Sequence, residues 1–284
     1  MPIKRGRKMD DCLKRKKPII SVIMGVYNIA GISTFFKSID SILNQTFSDF
    51  EFIICDDGST DETANLLKKI AKQDKRIRLI CNPTNLGLAA SLNHCIELSQ
   101  GEFIARQDAD DYSTLNRFEK QYDFLKKNPK ISFVGSFVAL FNEKDIYRVR
   151  EFPILPKKHD FLFTMPFVHG ALLFRREALL QSGMYRVSKE TKRAEDYDLL
   201  MRMYAHGFCG ANLSEILYYF LEDDAAIKRR KYKYRIDEAK VRWRGFKALH
   251  LFPKAFPYVI KPLIVGIIPK KILLKLKSFY TKID

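Results

Sequence analysis

Strand-like and helix-like patterns alternate along the first half of this chain. Ile19-Ile20-Ser21-Val22-Ile23-Met24-Gly25-Val26 is rich in β-branched residues and almost wholly apolar, as expected of a strand buried on both faces. Residues 32–45 then place Ile32, Phe35, Phe36, Ile39, Ile42 and Leu43 at helical spacing. A second strand, Glu51 to Cys55, ends in the polar run Asp56-Asp57-Gly58-Ser59-Thr60-Asp61-Glu62. That run predicts a turn into a helix over 62–73, capped by Ser59, Thr60 or Asp61. Arg76 to Cys81 predicts a third strand, 88–99 a helix, and Phe103 to Arg106 a fourth strand. Repeated strand–helix units imply an α/β fold with a mostly parallel sheet and right-handed crossovers. After residue 112 the rhythm changes. Helices are expected over 114–127, 175–182 and 194–206, and strands over 131–140, 167–174 and 211–220. No Pro/Ser-rich linker intervenes, so one domain is expected over 18–225. A basic extension (1–17) precedes it and a basic helical tail (226–284) follows it.

Three polar loops fall at the carboxyl ends of these strands: Gly25-Val26-Tyr27-Asn28, Asp56-Asp57-Gly58-Ser59 and Asp108-Ala109-Asp110-Asp111. Ligands of open α/β sheets bind there. Burying the three carboxylates of the last loop unpaired would be costly, so a positive partner is expected. A Mg²⁺ or Mn²⁺ ion carrying phosphate oxygens fits, because such ions take one or two carboxylates and complete their shell with water and phosphate. Neither GxGxxG nor GxxxxGK[ST] occurs, so phosphate binding should rest on metal.

The 284 residues are 46% hydrophobic, a globular composition. Five cysteines show no CxxC spacing, which suits a reducing compartment, and no signal peptide is recognisable. The net charge of +17 changes the picture because it is confined to the ends. Residues 1–17 hold eight Lys/Arg against two Asp, and residues 228–284 hold seventeen against three acids. In the tail the basic residues alternate with Leu, Ile and Phe, which suits an anionic membrane interface through residues 250–284. Lys261-Pro262 and Pro269-Lys270-Lys271 break the segment too soon for a span. The tail is expected to be separable from the catalytic domain; the plainer alternative is that it packs on that domain as an ordinary helix.

The landmarks together resemble glycosyltransferase family 2, enzymes of the GT-A fold. The resemblance covers roughly residues 18–220 and rests on Ser21-Val22-Ile23-Met24-Gly25-Val26-Tyr27-Asn28, Ser41-Ile42-Leu43-Asn44-Gln45-Thr46-Phe47, Ile54-Cys55-Asp56-Asp57-Gly58-Ser59-Thr60-Asp61, Asn85-Leu86-Gly87-Leu88, Ala105-Arg106-Gln107-Asp108-Ala109-Asp110-Asp111 and Ala194-Glu195-Asp196-Tyr197-Asp198-Leu199. It implies an inverting enzyme with a nucleotide-sugar donor. Val26 and Tyr27 would flank the donor base, and Asp57 would accept a hydrogen bond from its edge, which favours UDP. Asp108 would contact ribose or sugar, and Asp110, with Asp111, would hold Mn²⁺ or Mg²⁺ on the diphosphate. Asp196 would be the general base, with Glu195 and His169 on the acceptor side. The acceptor would be a lipid-linked saccharide or growing surface glycan at the cytoplasmic face of a membrane.

Each residue also has a plainer role. Asp56, Asp57 or Asp111 would serve as helix caps, and Glu195 and Asp196 as first-turn acids complementing a helix dipole. His169 would be a satisfied buried histidine, and Arg106 and Arg117 partners of nearby acids. In one place the chain departs from the family. The loop that closes over the diphosphate in many members carries an Arg and a His, whereas here Phe220 to Arg230 holds no histidine; Lys228, Arg229 or Arg230 would have to substitute. A nucleotidyltransferase is the competing enzyme class, but the loop after the first strand lacks that class's basic residue. A nucleic-acid-binding protein would explain the basic ends but not the acidic loops, which would repel phosphate without metal.

Overall fold

A computed structural model describes residues 17–142, 145–222 and 232–268 of the chain. The first strands alternate across two cores. In β1 (Ile20–Val26), Ile20, Val22, Met24 and Val26 enter one core and Ile23 the other. In β2 (Phe50–Asp56), Phe50, Phe52 and Ile54 enter the first and Ile53 and Cys55 the second. Both faces of the sheet are therefore covered, which explains the near-continuous apolar runs. α1 (Phe35–Leu43), α2 (Thr63–Gln73) and α3 (Leu88–Leu98) separate β1, β2, β3 (Ile77–Cys81) and β4 (Phe103–Arg106). These four strands are parallel in the order β3-β2-β1-β4.

Beyond β4 the sheet becomes mixed. The order continues through β8 (Leu173–Arg175), β6 (Phe133–Phe141), β9 (Gly210–Leu221) and β5 (Tyr112–Ser113), with β7 (Ile146–Arg150) paired to β6. Only β6 and β9 run parallel in this half; β4–β8, β6–β8, β6–β7 and β5–β9 are antiparallel. Two strands, β5 and β7, were not legible in the sequence. Tyr112-Ser113 is only two residues long and delays α4 to Arg117–Lys127 instead of 114–127. All five residues of β7 are exposed, so it carries no burial pattern.

The strand expected over 167–174 is also corrected. Its first half is a 3₁₀ turn, His169–Ala171, and only Leu173–Arg175 joins the sheet. The chain must pass tightly under the Asp loop here. A Cβ on Gly170 would run into the Tyr218 hydroxyl and lie 2.7 Å from Asp108 Oδ2.

α5 (Arg176–Gln181) and α6 (Glu195–Ala205) lead to a pair of C-terminal helices, α7 (Tyr232–Ala248) and α8 (Phe256–Ile267). The described part of the tail packs on the domain, as in the plainer alternative. Phe246, Leu249, Ala255 and Val259 share one buried cluster with Leu200, Met201, Met203 and Tyr204. Gly245 lets α7 approach α6, because a Cβ there would collide with the Met201 thioether. The change in composition near residue 225 is therefore not a change in packing. Among the described residues no helix is long and apolar enough to cross a membrane. Residues 1–16, 223–231 and 269–284, with Lys228, Arg229, Arg230 and the distal tail, lie outside the described residues.

A chain ending at residue 249 should unfold at lower urea than the full chain, because burying one Val side chain such as Val259 contributes ~2 kcal/mol and its neighbours are lost with it. Coincident urea midpoints would show that the α8 segment is not part of the core.

Candidate active site

The Asp loop takes its shape from a buried glutamine. Gln107 Nε2 donates to the carbonyls of Asp108 (3.1 Å) and Asp111 (3.0 Å), while its Oε1 accepts from Ser113 Oγ (2.9 Å) and Arg117 Nη1 (3.0 Å). Ser38 Oγ of α1 also donates to the Asp108 carbonyl, at 2.8 Å. Backbone carbonyls of the loop are thus satisfied by buried side chains. Sequence reading assigned no role to Gln107, and nothing local in the sequence marks it as the residue that shapes the loop.

Beneath the loop lies Arg106, a guanidinium with no solvent exposure. Its Nη2 pairs with Asp108 Oδ1 at 2.5 Å and its Nη1 donates to the Gln107 carbonyl. Arg106 therefore pairs with an acid, as its plainer role required, but that acid belongs to the candidate site. Arg117 is structural: it donates to the carbonyls of Arg106 (2.8 Å) and Leu172 (3.3 Å) from full burial.

Asp111 is almost fully buried. Its Oδ1 accepts the Leu221 amide at 2.7 Å, which ties β5 to the end of β9 and excludes a helix-cap role. Among the described residues its Oδ2 makes no close hydrogen bond, while the Tyr218 hydroxyl faces this carboxyl and opposes the rise in its pKa. Burial, and the charges of Asp108 and Asp110, push its carboxyl well above the usual range. Asp110 is half-buried at the same loop. The residues present are compatible with a cation: three carboxyl groups crowd one turn, and one of them is buried with an oxygen that has no close partner among the described residues. Among the described residues no three His, Cys, Asp or Glu side chains form a cage.

The β2 loop is built differently. Asp56 Oδ1 accepts the Ser59 amide at 3.0 Å and closes the turn. Asp61 accepts the amides of Thr63 (3.0 Å) and Ala30 (3.2 Å), joining the β1 and β2 loops. Asp57, almost fully buried, accepts from Asn82 Nδ2 (2.8 Å), Leu86 N (2.9 Å) and Gly87 N (2.8 Å). It clamps the loop after β3 and caps no helix. Tyr27 is 44% exposed at the mouth of this region. Val26 turns its side chain into the core, and its carbonyl accepts the Asp57 amide at 2.9 Å.

The remaining candidates enter from the other side. Glu195 and Asp196 occupy the first turn of α6, where acids complement the helix dipole. Asp196 Oδ1 accepts the Tyr197 amide at 2.7 Å, and Glu195 Oε2 is buried with no hydrogen bond. Burial raises the Asp196 carboxyl to about 6, with Asp108 adding to the rise and Arg106 opposing it. Burial and the neighbouring Asp196 charge raise Glu195 to about 8. His169 Nε2 lies 2.7 Å from Tyr185 Oη. Burial and the Arg106 charge hold His169 well below its ordinary value, so it is neutral at pH 7. Tyr185 and Tyr218, whose hydroxyl accepts the Asp108 amide at 3.2 Å, line the same space and gave no sequence signal. Asp108, Glu195, Asp196 and His169 thus all feel the charge of one buried guanidinium, Arg106.

The structure resembles solved GT-A enzymes. Staphylococcus aureus TarS residues 1–349 in complex with UDP-GlcNAc superposes with a TM-score of 0.66, at 18% identity, over 87% of this chain and 71% of that one. The Pyrobaculum calidifontis mannosyltransferase PcManGT, in complex with GDP-Man and Mn²⁺, gives 0.59 at 20% identity, over 94% of this chain and 81% of that one. In sequence, the chain is 41% identical over 257 residues to the putative glycosyltransferase EpsE of Bacillus subtilis, covering 90% of this chain and 92% of that protein. It is 28% identical over 253 residues to WfaP of Escherichia coli, named a UDP-Glc:α-D-GlcNAc-diphosphoundecaprenol β-1,3-glucosyltransferase, with coverages of 87% and 94%. The glycosyl transferase family 2 model matches residues 21–183. With the acid loops at the strand ends and the GT-A sheet, these matches place the chain in glycosyltransferase family 2.

Proposed function

We propose that this glycosyltransferase inverts the anomeric centre as it moves a sugar from a UDP-sugar to a hydroxyl of a lipid-linked saccharide or surface glycan. The observation that supports this reading best is the convergence of the Asp108–Asp111 loop and the Glu195–Asp196 pair on buried Arg106. Asp196 takes the proton of the acceptor hydroxyl, whose oxygen attacks the anomeric carbon as the bond to the diphosphate breaks. The electron pair leaves with the nucleoside diphosphate. Asp110 and Asp111 would hold Mn²⁺ or Mg²⁺, which when bound stabilises charge on that leaving group. Asp108, fixed by Arg106, faces the donor ribose or sugar. Glu195, protonated at neutral pH, offers a donor to acceptor hydroxyls, and neutral His169 borders them with its ring fixed by Tyr185. Tyr27 supplies a flat wall for the base.

The name of the WfaP relative supports a lipid-linked acceptor. The C-terminal region supports a peripheral position at the inner face of the membrane. α8 exposes Phe256, Ile264 and Ile267, with Lys254 and Lys261 beside them. No nucleic acid is proposed as a partner.

Asp196→Asn should leave UDP-sugar affinity intact and cut the transfer rate by roughly 10²–10⁴-fold, the range for losing a general base. Equal losses of affinity and rate would make Asp196 a structural residue. Since Asp196 must be ionised to act, the rate should rise with pH through about 6 and fall about tenfold per unit below it. A flat profile between pH 5 and pH 7 would remove its role.

Asp111→Ala should abolish Mn²⁺-dependent UDP binding in calorimetry while the chain still unfolds cooperatively, with a urea midpoint lowered only by the loss of the Leu221 amide's acceptor. Unchanged Mn²⁺ dependence would refute the metal assignment.

The triple variant Phe256→Ser, Ile264→Ser, Ile267→Ser should sediment less with anionic liposomes, and higher salt should weaken the parent's binding without abolishing it. Equal sedimentation of variant and parent would remove α8 from the contact.

A further inference from the structure

Asp57 does not stand as a bare acceptor. Its Oδ1 takes two hydrogen bonds, from Asn82 Nδ2 at 2.8 Å and Leu86 N at 2.9 Å. Its Oδ2 takes one, from Gly87 N at 2.8 Å. A carboxylate offers about two acceptor positions per oxygen. Oδ1 is therefore full, and Oδ2 keeps one position. The orientation of Asn82 follows from its neighbours. A carboxylate only accepts, so the amide must turn Nδ2 to Asp57, where it also reaches Ser91 Oγ at 3.0 Å. Its Oδ1 then faces His94 Nδ1 at 2.7 Å, and that nitrogen must carry the proton. Asn82 is buried, and its own amide donates to the Asp56 carbonyl at 2.8 Å, so it cannot swing away.

We infer that Asn82, held by His94, is a specificity-determining positioning residue: by filling Asp57 Oδ1 it lets the carboxylate read a single ring N–H and denies it a paired grip. A uracil ring presents one N–H between two carbonyls and needs one acceptor. Guanine presents a ring N–H beside an exocyclic amine, which a carboxylate binds with both oxygens. With Oδ1 occupied, guanine meets half of that grip, and its second donor is desolvated without a partner, which is costly. The inference rests on the proposed role of Asp57 at the donor base and adds the residue that sets the base preference.

The test is calorimetry with UDP and GDP, each with Mn²⁺, on the full chain. The parent should favour UDP. Asn82→Ala opens an acceptor position on Oδ1, so the ratio of GDP to UDP dissociation constants should fall by about tenfold, the worth of one hydrogen bond to a charged group. A structural defect would weaken both nucleotides alike and leave the ratio unmoved, which would overturn the inference. His94→Leu, which leaves Asn82 Oδ1 without its donor and so loosens the amide's hold on Asp57 Oδ1, should lower the ratio in the same direction, by less. His94→Gln, which can still donate to Asn82 Oδ1, should restore it; failure of that rescue while Asn82→Ala behaves as expected would remove His94 from the assignment. A parent that binds UDP with an unaltered preference in Asn82→Ala refutes the inference alone. A parent that binds neither nucleotide, or prefers GDP, refutes the donor reading and the inference with it.

Discussion

The ion pair between Arg106 and Asp108 is the constraint from which the site is built. A guanidinium with no exposure is expensive to bury, and only close acceptors make it tolerable. Asp108 and the Gln107 carbonyl supply them. The same charge reaches outward: it adds to burial in keeping His169 neutral and opposes the effect of burial on Glu195 and Asp196. Asp108, His169, Glu195 and Asp196 therefore share one counter-charge, and none of their protonation states is set independently. Arg106 Nε has no partner, so the pairing is incomplete within the protein itself.

Strand direction brings these groups together. β4 runs parallel to β1 on one side and antiparallel to β8 on the other. The carboxyl end of β4, where Arg106 and the Asp loop sit, therefore lies beside the start of β8. The His169–Ala171 turn immediately precedes β8 and so is delivered against Asp108. A parallel β8 would have placed that turn at the opposite edge of the sheet. Gly170 permits the final approach, since any side chain there would displace Tyr218 or Asp108.

This geometry explains what was legible in the sequence. The donor half was readable because each part is local: an apolar run, then an acidic loop, then a helix start. The helices and strands up to Arg106 fall within a few residues of expectation for that reason. The acceptor half is assembled from residues far apart in the chain. Tyr185 meets His169 across 16 residues, and Tyr218 meets Asp108 across 110. The Phe167–Phe174 run reads as a strand because burial makes it apolar, yet half of it is a turn. β7 has no buried face to imprint a pattern. The tail's alternation of Lys with Leu, Ile and Phe conceals two demands, one face for the core and one exposed, and only packing separates Val259 from Ile264.

The carboxylates of the site show how far environment, more than residue type, decides chemistry. Asp57 is surrounded by amide donors that fill all but one of its acceptor positions, which fixes the carboxylate in place. Asp111 receives one amide and is pushed up by burial and by the neighbouring charges of Asp108 and Asp110. Asp196 has one amide from its own helix and is raised by burial into the range where a carboxylate can take a proton and release it again. Desolvation raises, hydrogen bonds lower, and neighbouring charges do either. Each loop of the sheet applies a different mixture of the three, so the same aspartate side chain is held as a clamped acceptor at 57, a buried high-pKa acid at 111 and a carboxyl near 6 at 196.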